Sequence, residues 1–513
     1  MFTPDAKTTQ TENASSTAMR KSDWVWITTI LVVAVVLRSI HLDASLWFDE
    51  IVSLVEFVRL PVSAVVTSLS SLNNHILYSL EAHAAIAVFG ESAWALRLPA
   101  MLFGVACVAM LWWFARQIVS RWEANLAALL LAVSYHHIWF SQNARGYTGL
   151  MFWALAGTAL FIKGIQQPSW RVWIGYAFVV AAAAYTHLSA GFFFMIHGLV
   201  YLVLVALRGR FGRRYPGILG WMPIGGFVLG GLLVFLLHAP LLPQLIGAMR
   251  SVSVTASTET TVAEWKNPVW TLLEIFRNLR SLGLLAVVGL PAVLGFSALG
   301  AFSLSRRHPV FVAITLTHIP LTLLFLLVLS FRIWPRYFFI DLGFVFLCLI
   351  HGVFVFSGFL AKSLDTPRRF SMSGEKLGII ASGTAIFCSL FLLPPNYRYP
   401  KQDFLGAKNF VEAARDKKDA VVSMGLAAYA YSKYYAPEWK TADSWDELER
   451  IHAEGRRTWF VYTSQAHMAE NYRDVVANLA SQYELVKQFP GTLGDGAVFV
   501  YRTRDRSGTK LQQ

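Results

Sequence analysis

The chain has 513 residues, of which 55% are hydrophobic and only 15% charged, and it carries a formal net charge of +13. With repeated apolar runs of about 20 residues, that balance excludes an ordinary soluble protein and points to a helical protein crossing a bilayer many times. Its three cysteines, Cys107, Cys348 and Cys388, lie inside apolar runs, which argues against a disulfide framework and a thiolate metal site.

Residues 1–21 are polar, rich in Thr, Ser and Ala, and read as a disordered cytoplasmic N-terminus. The first apolar run follows Met19-Arg20-Lys21 and has no small-residue cleavage site after it, so it is expected to stay as an anchor. Hydropathy predicts about eleven spans. They lie near 22–40, 93–115, 123–140, 147–165, 171–186, 190–207, 217–239, 283–304, 309–331, 336–360 and 377–394. Basic residues gather on alternate connections, at Arg116, Arg121, Lys163, Arg171, Arg208, Arg210, Arg306, Arg307 and Lys376 among others, and mark the cytoplasmic side. An odd number of spans then puts the C-terminal region outside.

On that outer side, residues 41–92 form a long first loop that contains Leu46-Trp47-Phe48-Asp49-Glu50. Two amphipathic stretches, 51–60 and 72–89, read as helices lying at the membrane interface. Short polar turns follow at 141–147 and 185–187. The long connection 240–282 includes the Ser/Thr-rich stretch 251–261, and 331–337 closes the last outer turn. The segment 22–394, including the first outer loop, is expected to form one catalytic module. From 395 to 513 the composition becomes that of a soluble domain. Helical patterns at 403–415, 444–454 and 467–481 alternate with apolar runs at 419–424, 457–463, 483–489 and 496–502, which predicts a small α/β layer. No glycine-rich phosphate loop follows those runs, so no nucleotide chemistry is expected there.

A carboxylate at a membrane rim is costly unless something uses it. Asp49-Glu50 is therefore read as functional, against the plainer alternative of a solvated helix cap. A carboxylate in that place can act as general base toward a hydroxyl or hold a cation. His75, Glu81 and His83 share the 72–89 stretch, but their spacing is no recognised ligand pattern, and interfacial histidines satisfied by neighbours are the better reading. Asn73-Asn74 either orients substrate hydroxyls or caps the helix that follows. Arg145, Arg332 and Arg336 are basic residues on otherwise base-poor outer turns, each beside aromatics such as Tyr147, Trp334 or Tyr337. They are either anchors in an aromatic belt or phosphate-recognising forks. Arg38 and Arg97 are weaker candidates of the same type, Lys266, Arg277 and Arg280 read as solvated charges, and Asp341 and His318, inside spans, are expected to pair internally.

Taken in order, Arg38, Leu46-Trp-Phe-Asp49-Glu50, Asn74-His75-Ile-Leu-Tyr78 and Ala95-Leu-Arg97-Leu-Pro99 resemble bacterial membrane glycosyltransferases related to protein O-mannosyltransferases and lipid A aminoarabinose transferases. Ser141-Gln-Asn-Ala-Arg145-Gly-Tyr147, Tyr185-Thr-His187 and Pro335-Arg336-Tyr337-Phe338 extend the match, which covers about residues 22–345. The resemblance implies a GT-C fold, an α-helical polytopic membrane protein, to which the composition after residue 395 adds a small C-terminal α/β extracytoplasmic domain. It implies transfer of a sugar from a polyprenyl-phosphate carrier on the outer face. The acceptor-recognising parts are not matched, so the acceptor is not carried over; a hydroxyl of a glycan, lipid or protein, attacked with inversion at the outer face of a bacterial inner membrane, is the expectation set beside the resemblance. Asp49 carries over as catalytic base. Beside it, Glu50, Asn74, His75, Arg145, Tyr147, His187, Arg336 and Tyr337 are read as substrate-binding residues, the arginines and tyrosines as donors to the leaving phosphate and Glu50 as orienting the surroundings of Asp49 or binding sugar hydroxyls. No metal ligand is assigned and no cofactor is required, with a divalent cation left open. Membrane lipids are expected partners, and nucleic acid is not. Two other readings stand beside this one: an oligosaccharide ligase or polymerase using diphosphate-linked lipid donors, and a lipid or sugar transporter, for which no internal repeat is found.

Overall fold

A computed structural model of the chain describes residues 19–71, 73–247, 283–329, 331, 333–363, 373–454 and 457–504. The Ser/Thr-rich stretch 251–261, Lys266, Arg277, Arg280 and Arg332 fall outside these residues. The chain forms two compact units. One comprises Met1–Ile40, Val66–Glu81 and Arg97–Leu392; the other comprises His41–Val65, Ala82–Leu96 and Leu393–Gln513.

The first unit is helical. Among the described residues of the whole chain, eight helices are long and apolar enough to cross a membrane, against the eleven spans expected. A helix does occupy each expected range. Trp170–Thr186 and Ala190–Ala206 have 17 residues apiece, about 26 Å at 1.5 Å per residue and so short of a full hydrocarbon core. The expected span 123–140 is a broken element, with Arg121–Ala132 and Tyr135–Ser141 separated at Val133-Ser134. A break inside an apolar layer strands backbone carbonyls. Here the fully buried Arg38 donates to the carbonyls of Ala132 at 3.0 Å and Leu131 at 3.4 Å, and its Nε donates to Ser141 Oγ at 3.1 Å. The guanidinium named as a weaker candidate for phosphate recognition is thus spent inside the protein.

Two glycines allow the closest helix approach. A Cβ at Gly300 would strike the carbonyl of Cys348, and one at Gly352 the carbonyl of Phe296. Helices Leu284–Arg307 and Leu342–Ser363 therefore pack backbone to backbone, as membrane helices with small residues at a crossing do. His318 Nδ1 lies 2.8 Å from both carboxylate oxygens of Asp341; the sequence pointed to internal partners for these two intramembrane groups without naming them. All three cysteines are free thiols.

The second unit holds a five-stranded sheet: β1 (Ala420–Ser423), β2 (Lys440–Thr441), β3 (Thr458–Thr463), β4 (Tyr483–Phe489) and β5 (Val498–Thr503), in the order β2-β1-β3-β5-β4. β1 runs parallel to β2 and β3, with Val422 opposite Phe460, while β5 is antiparallel to β3 and β4. All six residues of β3 are buried, as a central strand covered on both faces requires. Val422, Leu448, Phe460, Val475 and Phe499 form the core under the helices. Asp403 and Ser444 cap helices Phe404–Ala414 and Trp445–Ala453 by accepting from the N–H groups of Gly406 and Glu447. The expected strands and helices are present. Helix Leu426–Ala430, the π-turn Tyr431–Tyr435 and the two-residue β2 were not expected, because their aromatic-rich sequence follows neither periodicity.

Candidate active site

Helix Ile76–Phe89 begins at His75, whose carbonyl accepts from the Ser79 N–H at 2.8 Å. Asn74 secures the turn before it: Nδ2 donates to the Ser68 carbonyl at 3.1 Å, and Oδ1 accepts from Ser79 Oγ at 2.9 Å. The Asn74 amide thus braces the start of this helix, and the His75 ring that follows is buried.

The His75 ring is sandwiched between two donors. Nδ1 accepts from the Gly146 N–H at 2.9 Å, and Nε2 lies 3.0 Å from Arg145 Nη2. A neutral imidazole has one lone-pair nitrogen, so the two donors compete for it and an imidazolium satisfies neither. Burial first, then the charge of Arg145, with smaller contributions from His187 and Arg336, holds His75 well below its ordinary 6.5. Only glycine serves at 146. A Cβ there would lie 3.0 Å from His75 Nδ1 and 2.8 Å from Thr186 Cγ2.

Arg145 is itself buried, and its Nη1 donates to Asn73 Oδ1 at 2.5 Å. The guanidinium also stands 5.7 Å from the centre of the Tyr147 ring. His187 follows helix Trp170–Thr186, and its Nδ1 accepts from the N–H and hydroxyl of Ser189 at 3.1 and 2.8 Å. Its ring is 4.5 Å from that of His75 and 5.3 Å from that of Tyr147. Desolvation, followed by the charges of Arg145 and Arg336, lowers His187 to about 3. Arg336 follows Pro335 in the first turn of the 3-10 helix Pro335–Asp341, with its guanidinium 4.9 Å over the Trp334 ring, and the Tyr337 N–H donates to the Trp334 carbonyl. Its charge reaches both histidines. A cleft of about 300 Å³, open mouth included, adjoins this group and is lined by Asn74, Tyr185, His187, His238, Leu69 and Leu241, among others.

The first unit therefore brings together Asn74, His75, Arg145, Tyr147 and His187, within the field of Arg336. Asn73, read with Asn74 as either orienting substrate hydroxyls or capping the helix, and Gly146, which was not singled out, complete the cluster. The signal for Gly146 was its place between Arg145 and Tyr147, which shows no steric role until His75 is placed against it.

Asp49 and Glu50 belong to the second unit. Helix Phe48–Ser53 carries both and runs on into a π-turn at Leu54–Val58, a helix variant frequent at functional sites. Glu50 is fully buried, and its Oε2 accepts from the Trp47 N–H at 3.3 Å, serving the first turn of its own helix. Asp49 is half-buried, and its carbonyl accepts from Ser53 Oγ at 2.8 Å. His83 Nδ1 lies 2.8 Å from the carbonyl of Val58. Among the described residues, no three His, Cys, Asp or Glu side chains are grouped as metal ligands.

Residues 74–240 match the sequence model of the family described as dolichyl-phosphate-mannose-protein mannosyltransferase. No curated protein sequence matches the chain. Among solved structures, the oligosaccharyltransferase of Archaeoglobus fulgidus, in complex with Zn and sulfate, aligns at a TM-score of 0.52 with 11% identity, over 91% of this chain and 72% of its own. The same archaeal enzyme, AglB, in complex with an inhibitory peptide and a dolichol-phosphate, aligns at 0.51 with 11% identity, over 94% and 74%. ArnT from Cupriavidus metallidurans, bound to undecaprenyl phosphate, aligns over 95% of this chain and 99% of its own, with 12% identity and a TM-score of 0.49.

Proposed function

We propose that this chain, a multi-pass membrane glycosyltransferase of the GT-C fold, transfers a sugar from a polyprenyl-phosphate carrier to a hydroxyl acceptor with inversion at the anomeric carbon. The observation that carries this reading is the cluster around Arg145. Five of the residues expected to bind substrate meet there, and all five lie inside the stretch that matches the mannosyltransferase family.

In this mechanism Asp49 takes the proton of the acceptor hydroxyl as its oxygen attacks the anomeric carbon. The bond from that carbon to the phosphate oxygen breaks, and the polyprenyl phosphate leaves with the electron pair. Its charge calls for fixed donors in a water-poor place, which Arg145 and Arg336 supply, with a hydroxyl from Tyr147 or Tyr337. The contest at His75 suits this role. With Nε2 protonated, the Arg145–His75 contact sets donor against donor, so an anion takes over Nη2 without stranding an acceptor on His75, while Nη1 stays on Asn73 Oδ1. A neutral His75 and a neutral His187 leave the positive charge to the arginines. Glu50 holds the helix that carries Asp49, and Asn74 holds His75 in place beside the sugar. With arginines neutralising the leaving group, no divalent cation is required.

We place the reaction at the outer face of a bacterial inner membrane, on the strength of the basic loops assigned to the cytoplasm. The test is transfer in membranes from a panel of radiolabelled lipid-linked sugars. Label moving from a monophosphate carrier is the expected result, and the active donor names the sugar. Activity with diphosphate-linked donors alone would replace this reading by the ligase or polymerase one.

A further inference from the structure

We propose that Gln402, Tyr429 and Tyr435 are positioning residues for Asp49, so that the C-terminal α/β domain is a working part of the transfer machinery. This rests on the reading of Asp49 as the base.

Helix Phe48–Ser53 has only six residues, and an isolated helix of that length does not hold itself in water. The direction of the Asp49 carboxylate must therefore be set by whatever grips the segment from outside. Within the second unit three groups of the C-terminal domain do so. Gln402 Oε1 accepts from the Phe48 N–H at 3.0 Å, one of the orphan donors in the helix's first turn and the residue before Asp49. Tyr435 donates its hydroxyl to the Leu46 carbonyl at 2.8 Å. Tyr429 donates to Glu56 Oε1 at 2.6 Å and sets its ring against Phe48, with centres 5.8 Å apart. The grips fall on both sides of Asp49 along the chain.

Each grip is itself anchored in the domain. Gln402 is buried, and its Nε2 donates to Thr463 Oγ1 at the end of β3, which donates in turn to the Ala497 carbonyl ahead of β5. A line of hydrogen bonds thus runs from the sheet to the backbone beside Asp49. The π-turn that bears Tyr435 is tied to helix Phe404–Ala414: the Tyr431 hydroxyl donates to the Phe404 carbonyl at 3.1 Å, and the Lys408 ammonium donates to the Tyr435 carbonyl. The segment's apolar side chains are buried, Leu46, Trp47, Ile51 and Leu54 among them, and the domain in addition reaches for the backbone and a carboxylate on either side of one half-buried acid. A general base must stand within hydrogen-bond reach of the proton it takes, and a misplacement of about 1 Å costs on the order of 10²-fold.

The test compares full-length wild type with Gln402→Leu, Tyr429→Phe and Tyr435→Phe on two readouts. The first is steady-state transfer per folded molecule. The second is hydrogen exchange of the peptide covering 46–56, with peptides from β3 and β5 as the internal control of folding. Gln402→Leu is expected to speed exchange in 46–56 alone and to lower kcat about 10- to 100-fold, with KM for the lipid donor unchanged. The two Tyr→Phe variants are expected to do the same to a smaller degree. Gln402→Glu, which keeps an acceptor for the Phe48 N–H but loses the donor to Thr463, is expected to recover only part of the lost kcat. Unchanged exchange in 46–56 overturns the grip, and faster exchange with unchanged kcat overturns its role in positioning. A wild type that transfers no lipid-linked sugar at all overturns instead the reading of Asp49 on which the proposal rests.

Discussion

Replacing Arg145 by lysine keeps the positive charge and removes the fork. Arg145 Nη1 donates to Asn73 Oδ1 at 2.5 Å while Nη2 lies 3.0 Å from His75 Nε2, both ends of one rigid plane. A lysine ammonium reaches one of those places at a time. Losing one fixed donor from a developing oxyanion costs roughly 2.7–4 kcal/mol, or 10²- to 10³-fold in kcat. Arg145→Lys is therefore expected to fall about 10²-fold in kcat and Arg145→Ala about 10³-fold. Arg145→Ala also takes a donor from the half-buried Asn73 amide, at about 1 kcal/mol of stability, so rates must be referred to folded protein quantified by size exclusion. The assay is transfer from the active lipid-linked sugar in reconstituted vesicles, with kcat and KM separated. An Arg145→Lys enzyme that keeps the wild-type kcat would show that a point charge suffices and would refute the argument from the fork.

Further consequences concern pH and packing. His187 titrates at about 3 in the folded chain against an ordinary 6.5. Between those values the unfolded chain binds a proton that the folded one does not, so stability rises with pH across that window and is lost as pH falls through it. His75 acts in the same direction. Thermal unfolding should shift to lower temperature on acidification from about 6.5, and His187→Gln should flatten that slope; an unchanged slope in the variant would assign it to other groups. Gly146→Ala should displace His75 and lower transfer while leaving expression intact, because the new methyl meets the ring nitrogen and Thr186; full activity would mean that the ring's place is immaterial. Arg38→Met should destabilise the membrane unit by about 1–3 kcal/mol, since it takes the side-chain donor from the buried carbonyl of Ala132, while the Leu131 carbonyl keeps the Ser134 N–H. Urea or thermal titration in detergent reads this, and wild-type stability would remove the explanation of the helix break.

Apolar run length showed where helices lie along the membrane segment, and alternation showed the strands of the C-terminal layer. Both signals are local, and both were legible. The break at Val133-Ser134 was not: its one local signal is Ser134, whose hydroxyl caps the next helix by accepting from the His137 N–H, and the donors that tolerate the break come from the distant Arg38. The candidate cluster was legible as a set of residue types, polar and basic groups on apolar turns. That His75 stands between Gly146 and Arg145 depends on a separation of 70 residues, which no window of sequence contains. Gln402 was invisible for the same reason. Glutamine at a domain boundary reads as a solvated residue until its partner, 354 positions away, is seen. Glu50 read as half of an acidic pair, while the structure shows its carboxylate turned back onto the start of its own helix.

The most direct test of the central claim is transfer from a lipid-linked sugar by wild type and by Asp49→Asn, at equal amounts of folded protein. The amide keeps the shape of the side chain and removes its ability to take a proton. Label reaching an acceptor with wild type and falling to background with Asp49→Asn is the predicted result. Equal transfer by both would contradict the account, because the proton would then be taken by another group.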